Sequence, residues 1–327
     1  MRYIVNNGHF VQYDDKNIWV NGERSLRRIK DPALLDFVIE VCGETDVIDT
    51  SEINDEFQRN AADRALAALA QAGVLVPIQG VNRWPDIVLN LSNYSEGTRP
   101  LDSIQSSLDT GRVAVLAPTE KSFAEMLVTA LRDGSEGTRL EVSLFEDLGA
   151  LQVRDPFELT IVVGSADGDN LFNQVNRIAL EDGWRVWLPV IPPLGATYQI
   201  GPWLYPNSSA CYKCYQLRKA SVSWSDNQVA PSLSNDSISV PRSLYDDDIL
   251  TTNVLSSLIA KSALMHVGLN GYIGQAPHGF VTHIQNTMEG FESDNHFVLR
   301  VPRCPECSPA ENTGYPQIWF HGSEQGK

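Results

Sequence analysis

Four of the five cysteines in this chain stand in two Cys-x-x-Cys pairs, Cys211/Cys214 and Cys304/Cys307. A two-residue spacer lets both sulfurs of a pair turn toward one point. Two such pairs supply the four-thiolate ligand set of a closed, tetrahedral structural zinc (Zn2+). That geometry leaves no coordination position for water, so the expected work of the metal is structural. The pairs are separated by the 89 residues 215–303, so a shared ion would staple two distant segments together. The competing reading is two unrelated pairs of free or redox thiols, and neither pair follows a thioredoxin-like strand. Five is an odd number, and paired spacing of this kind favours metal over disulfides in a reducing, cytoplasmic compartment. Cys42 sits in an apolar helical run and reads as packing.

Other candidate groups carry less. The run VAVLAPTEKSFAEMLVTAL has the strand and helix of a nucleotide-binding unit, but its turn is Ala117-Pro118-Thr119-Glu120-Lys121-Ser122. No glycine lets backbone N–H groups approach a phosphate there, and Glu120 repels one. A second partial motif, Ala166-Asp167-Gly168-Asp169-Asn170, follows the strand-like LTIVVG. It reads either as acidic ligand groups at the carboxyl end of a parallel strand or as the N-cap of the next helix. The six histidines do not cluster with carboxylates at metal spacing, and His266 lies on an apolar helix face. Trp184 and Trp187 alternate with apolar residues and read as core. Asp246-Asp247-Asp248 suits a helix N-terminus. No Ser/His/Asp set is defensible, so no catalytic residue is assigned.

The elements that must position these groups fall into two stretches. In residues 1–80, MRYIV, HFVQY and NIWV are short runs separated by turn residues, which predicts a three-stranded meander. Helices are predicted over 31–43, 52–57 and 61–72, the last with Ala62, Leu66 and Leu69 on one stripe, then a closing strand at 74–76. This is a winged-helix-like α+β pattern. Residues 81–110 read as a polar linker. From residue 111 strands alternate with helices, which predicts βαβ units on a parallel sheet and an α/β fold class overall. Residues 221–245 are rich in Ser, Asn and Pro and read as a loop, followed by a helix over 246–268.

Length and charge bound the function. The 327 residues suggest about two domains. The net charge of −16 opposes a general nucleic-acid binder, and so do 13 acidic against 8 basic residues in 1–80. No run is long and apolar enough for a membrane helix, and the N-terminus lacks the pattern of a secretory signal.

Residues 201–218, GPWLYPNSSACYKCYQLR, and 297–307, FVLRVPRCPEC, together resemble the ThiF/MoeB-like (ubiquitin-activating-enzyme-like) partner proteins of thiazole/oxazole-modified microcin heterocyclases. In that family a Gly-Pro-to-Cys-x-x-Cys element and a later Pro-Arg-Cys-x-x-Cys element bind zinc. The strand VAVLAP with its helix extends the likeness, as does GSADGDN, where activating enzymes carry Asp-x-x-Asp-Asn. The first 80 residues resemble a PqqD-like element, a winged-helix module that binds the leader of a precursor peptide. The chain departs from active members in its glycine-free turn. It has Gln174 where an arginine is expected, with Arg177 displaced. Its only spare thiol, Cys42, lies in the other domain.

The resemblance therefore implies an activating-enzyme scaffold kept for binding, with structural zinc and no ATP in this chain. It implies a leader-peptide-binding subunit of a peptide cyclodehydratase that presents the precursor to a YcaO-type catalytic subunit. An FMN-dependent azoline dehydrogenase and a homodimer are also implied. The alternative is an active ThiF/MoeB-class adenylating enzyme; a zinc-ribbon regulator binding nucleic acid is opposed by the charge. Within the recognition element, residues 17–21 form the third strand of the meander and are expected at a sheet edge, open to an extended peptide. Ile18, Trp19, Val20 and Asn21, with Arg64 on the helix face opposite Leu66 and Leu69, are the candidate peptide-binding residues. Trp19 reads equally as core of the small domain.

Overall fold

The computed structural model describes residues 2–5, 10–14, 17–21, 26–29, 47–49, 56–71, 75–78, 84–95, 99–152, 157–164, 169–194, 197–222, 249–269, 279–287 and 290–308. The chain divides into two compact units that interleave in sequence. One comprises Met1–Arg112, Thr129–Val142 and Ala260–Gln275. The other comprises Val113–Val128, Ser143–Ile259 and Ala276–Lys327.

The first unit opens with two small antiparallel sheets. β1 (Arg2–Val5) is the middle strand between β5 (Val47–Asp49) and β6 (Leu75–Ile78), with Tyr3 opposite Ile48 on one side and Pro77 on the other. The second sheet is the meander β2 (Phe10–Asp14), β3 (Asn17–Asn21) and β4 (Leu26–Ile29). The expected meander is thus displaced by one strand. The run MRYIV pairs with distant segments, and LRRI takes the third place. Turn chemistry identifies local hairpins but carries no information on pairing across some forty residues.

The displacement corrects the expectation for residues 17–21. β3 is the central strand: Trp19 lies opposite Gln12 on one side and Arg28 on the other. Its main-chain groups are committed to two ladders, and the edges of this sheet are β2 and β4.

Helix α1 (Glu56–Gln71) joins the predicted 61–72 helix to part of the 52–57 one, and it buries Ala62, Leu66 and Leu69 as one stripe. Burial first, and the charge of Asp63 on α1 second, push the Tyr3 phenol upward. The predicted helix over 31–43, with Cys42, lies outside the described residues.

The stretch 81–110 holds two helices, α2 (Asp86–Tyr94) and α3 (Leu101–Thr110). Its Ser, Asn and Asp content hides a sparse apolar pattern: Val88, Leu91, Leu101, Ile104 and Leu108 are the buried positions, at helical spacing. Gly111 ends α3, where an added Cβ would sit 2.8 Å from the Ser107 carbonyl oxygen.

The second unit carries a seven-stranded sheet in the order β13-β12-β11-β10-β9-β7-β8. Its strands are β7 (Arg112–Leu116), β8 (Glu141–Phe145), β9 (Leu159–Val163), β10 (Trp187–Leu194), β11 (Thr197–Ile200), β12 (Phe280–Thr287) and β13 (Gly290–Phe297). β7, β9 and β10 are parallel. β11, β12 and β13 continue the sheet as an antiparallel meander. The buried runs of β7 and β9 read as unbroken apolar segments because a parallel strand is covered on both faces. Helices α4 (Lys121–Gly134), α5 (Leu148–Gln152), α6 (Asp169–Glu181), α7 (Tyr212–Val222) and α8 (Ile249–Gly268) complete the chain. The alternation of strands and helices predicted after residue 111 is recovered, and the helix predicted over 246–268 is described from Ile249. β11, α5 and α7 were not anticipated. The 221–245 stretch and Asp246–Asp248 lie outside the described residues, except for the end of α7.

β7 has β8 on one side and β9 on the other, so the chain reverses its direction of winding there. Ligands of open α/β sheets sit at the carboxyl ends of such strands. In this chain that place is formed by Leu116–Glu120 and Gly164. Gly164 abuts the Phe172 ring, to which an added Cβ would come within 2.8 Å. Phe172 in turn packs on Tyr212 with ring centroids 5.2 Å apart, and Tyr212 on Trp187 at 5.9 Å. Trp184 is partly buried against the same core, and His266 is buried on α8. Among the described residues no helix is long and apolar enough to cross a membrane.

Phe172 is the keystone between sheet and α7. Phe172→Ala should cost about 3–5 kcal/mol by cavity formation, read as a lower midpoint in chemical denaturation. A midpoint unchanged from wild type would contradict this packing role.

Candidate metal centre

The four cysteines converge although Cys211 and Cys304 are 93 residues apart in sequence. Their Sγ atoms lie 3.8 Å apart for Cys211 and Cys214, and 3.6 Å apart for both Cys211–Cys304 and Cys214–Cys307. All four lie within 4.8 Å of one another. A Zn–S bond of about 2.3 Å at the tetrahedral angle requires sulfurs about 3.8 Å apart. A disulfide requires about 2.05 Å, and all four thiols are free. The set fits a four-thiolate zinc and leaves no fifth donor. Cys211, Cys214 and Cys304 are buried, and Cys307 is half-buried.

Local structure explains the convergence. Cys211 immediately precedes α7 and Cys214 lies in its first turn, so two sulfurs sit at the positive end of a helix dipole. The N-terminus of α7 is held by Asn176 of α6, whose Oδ1 accepts the Tyr212 N–H at 2.9 Å. Further along, the Tyr215 hydroxyl donates to Gln199 of β11 at 2.8 Å. The second knuckle turns at Arg303, a non-glycine residue at φ 59°. There the Cys304 N–H returns to the Val301 carbonyl at 3.1 Å. The Val301 N–H donates to Cys214 Sγ at 3.3 Å.

Arg300 ties the two knuckles before any metal arrives. Its Nε donates to the Ser209 carbonyl at 2.8 Å, and its Nη2 donates to the Asn207 carbonyl. Asn207 itself is in the left-handed region at φ 66°. Arg218 of α7 donates to the Arg300 carbonyl at 3.2 Å. Arg177 of α6 pairs with Glu306 inside the second Cys-x-x-Cys at 3.4 Å, so this displaced arginine is engaged with the knuckle.

The protons are unevenly shared. The hydrogen bond from the Cys211 thiol pulls Cys214 down to about 4, and the same bond, aided by burial, holds Cys211 up. Burial pushes Cys307 up to about 11. Zinc binding must therefore expel the protons that the unmetallated cluster retains.

Of the peptide-binding candidates, Ile18, Trp19, Val20 and Asn21 lie on the central strand β3, and Arg64 lies on the exposed side of α1. Asp169 begins α6, and exposed Asn170 accepts from Gln174 Nε2 at 3.2 Å, one helical turn on. Asp167 lies outside the described residues. The supporting residues Asn176, Arg300 and Arg303 were not anticipated. Only the Pro-Arg step before Cys304 hinted at a specialised turn.

No protein-family model and no curated protein sequence matches the chain. Solved structures do. A heterocyclase in complex with substrate and cofactor aligns with TM-score 0.62 and 16% identity, covering 94% of this chain and 39% of that one. The heterocyclase TruD aligns with TM-score 0.61 and 18% identity, covering 94% and 42%. MccB of E. coli aligns with TM-score 0.60 and 13% identity, covering 97% and 99%. The chain shares their fold. It spans about two fifths of the length of the two heterocyclases and nearly all of MccB. This agrees with the α/β fold class expected from the sequence.

Two outcomes follow. Cys304→Ser should lose the metal and several kcal/mol of stability, whereas Arg300→Ala should keep it with affinity lowered about 10- to 100-fold. Competition with a chromogenic chelator measures both. Well-folded protein that carries no metal when purified would contradict the assignment.

Proposed function

We propose that the chain is the precursor-binding and scaffold subunit of a peptide cyclodehydratase, the azoline-forming heterocyclase of a ribosomally made, modified peptide. The observation that carries this reading is the asymmetry of coverage. Nearly the whole chain aligns with about two fifths of each heterocyclase. On this reading the remaining work belongs to a separate polypeptide, a YcaO-type subunit that uses ATP to activate the peptide amide. The chain contributes recognition and docking. An FMN-dependent dehydrogenase acts afterwards on the azolines.

Recognition is assigned to residues 1–80, taken as a PqqD-like element, with 81–110 leading into the ThiF/MoeB-like domain at 111–327. Since β3 is paired on both sides, Ile18, Trp19, Val20 and Asn21 can contribute side chains but no free main-chain edge. Strand addition falls to β2 or β4. Arg64 remains available on α1.

The alternative, an adenylating enzyme acting alone, is favoured by the end-to-end match to MccB. The turn after β7 opposes it. Pro118 has no N–H to offer, and side chains occupy the space that glycine leaves for a phosphate. The Lys121 ammonium is already paired to Glu146 at 2.6 Å.

Reconstitution separates the two readings. With a YcaO-type subunit and precursor from the native host, the chain should accelerate ATP-dependent loss of one water per azoline by about a hundredfold or more. Deleting residues 1–80 should abolish that gain. Pyrophosphate exchange by the chain alone, lost on Asp167→Ala or Asp169→Ala, would instead establish the adenylating enzyme.

A further inference from the structure

The six histidines show no metal spacing along the chain, but the hairpin of β12 and β13 brings two of them together. His283 lies opposite Asp294, and His296 lies opposite Val281. The two imidazoles are therefore diagonal neighbours across an antiparallel pair, on one face of the sheet. Their ring centroids are 5.7 Å apart, edge to face. His283 is half-buried and His296 is exposed. Neither imidazole has a hydrogen-bond partner among the described residues, so each can turn a nitrogen toward a shared ion without breaking a bond.

The surroundings hold this pair in place. Gln199 of β11 lies opposite His283 on its other side, and its amide is already engaged. Its Nε2 donates to the Gly201 carbonyl at 2.9 Å, and its Oε1 accepts from the Tyr215 hydroxyl at 2.8 Å. On the reverse face of the hairpin the Thr282 hydroxyl donates to Asn295 Oδ1 at 2.8 Å, which fixes the register. Burial first, then the neighbouring His296 and Lys219 of α7, hold the His283 imidazole below its usual range, against the opposing pull of Asp294. A neutral imidazole keeps the lone pair that a metal needs.

We propose that His283 and His296 form a second metal site, a two-imidazole chelate for a divalent late transition ion such as nickel, copper or zinc. Two imidazoles sharing one ion at about 2.0–2.1 Å per bond put their centroids about 4.5–5.5 Å apart. The observed 5.7 Å closes to that by a small rotation of the exposed ring. The donors select the metal, because imidazole suits zinc, copper and nickel, whereas calcium and magnesium take oxygen. Among the described residues the cysteines are the only group of three or more converging metal-type donors. The histidine pair is therefore an open site whose remaining positions fall to solvent, unlike the closed thiolate set. Asp294, on the same face, adds a negative charge beside the ion. The ion would also have a mechanical effect. β13 is exposed at all eight residues and has β12 as its strand neighbour, so a bridge from His283 to His296 pins the last strand to the sheet. The site is independent of the precursor-binding reading.

The test uses the full-length, untagged chain carrying one zinc, so that the thiolates are already filled. Titration calorimetry with nickel chloride should show one ion per chain at micromolar affinity, and the melting temperature should rise by mass action. His296→Asn should weaken binding at least about tenfold and cancel the thermal shift, with circular dichroism and zinc content unchanged. His283→Asn should do the same, and Asp294→Asn should weaken binding several-fold. His321→Asn should bind nickel like wild type, and magnesium chloride should give no heat. Nickel uptake only at millimolar concentration would overturn the proposal. So would uptake that survives both His296→Asn and His283→Asn, uptake lost on His321→Asn, or zinc released in step with nickel bound.

Discussion

The constraint on which this molecule turns is the meeting of four thiols drawn from positions that a chain without metal has little reason to bring together. Closing a loop of some ninety residues costs conformational entropy that grows only slowly with length. The larger difficulty is geometric, since four sulfurs must be presented at tetrahedral spacing. The chain meets it in advance. α6 caps α7 through Asn176, Arg300 bridges to the carbonyls of the first knuckle, and two residues accept left-handed backbone. A metal bound there would lock an arrangement that hydrogen bonds have already drafted. Strain at Asn207 and Arg303 is sustained because the surroundings over-determine it.

The same core reaches the carboxyl end of the sheet. Phe172 lies against Gly164 at one end and Tyr212 at the other, so the helix that presents two thiols shares a packing layer with the strand end where an α/β fold ordinarily binds ligands. The cysteine cluster and the switch point are thus parts of one packed body. A loss of metal would be felt at the switch point through packing. At that strand end the turn holds no glycine and Lys121 pairs with Glu146.

Much of the α/β half was legible in the sequence because its signals are local. β7 and β9 are unbroken apolar runs, α4 and α6 have clean stripes, and the Cys-x-x-Cys spacing carries its own geometry. The four cysteines that converge could be named from types and intervals alone. What escaped was relational. That β1 pairs with residues 47–49 and 75–78 is a long-range fact, and no turn residue records it. This is why Trp19 was expected at an edge and is found in the middle of a sheet. α2 and α3 were hidden by their Ser and Asp content, and α7 by an outer face too mixed to show a stripe. Arg300 acts through its guanidinium on carbonyls, and carbonyls have no residue identity to read.

β13 raises a different matter, that of keeping company in concentrated solution. All eight of its residues are exposed and it ends the sheet, so its outer main-chain edge faces away from the fold. Phe291 and Phe297 at its two ends make it the kind of ribbon that templates sheet growth between molecules. Glu292 and Asp294 stand between them and act as gatekeepers, because a second such ribbon would bring carboxylates together. That protection is electrostatic and therefore conditional. Added salt screens that safeguard while the apolar ends remain. The strand that closes the sheet in dilute buffer thus becomes, in concentrated salt, an adhesive margin.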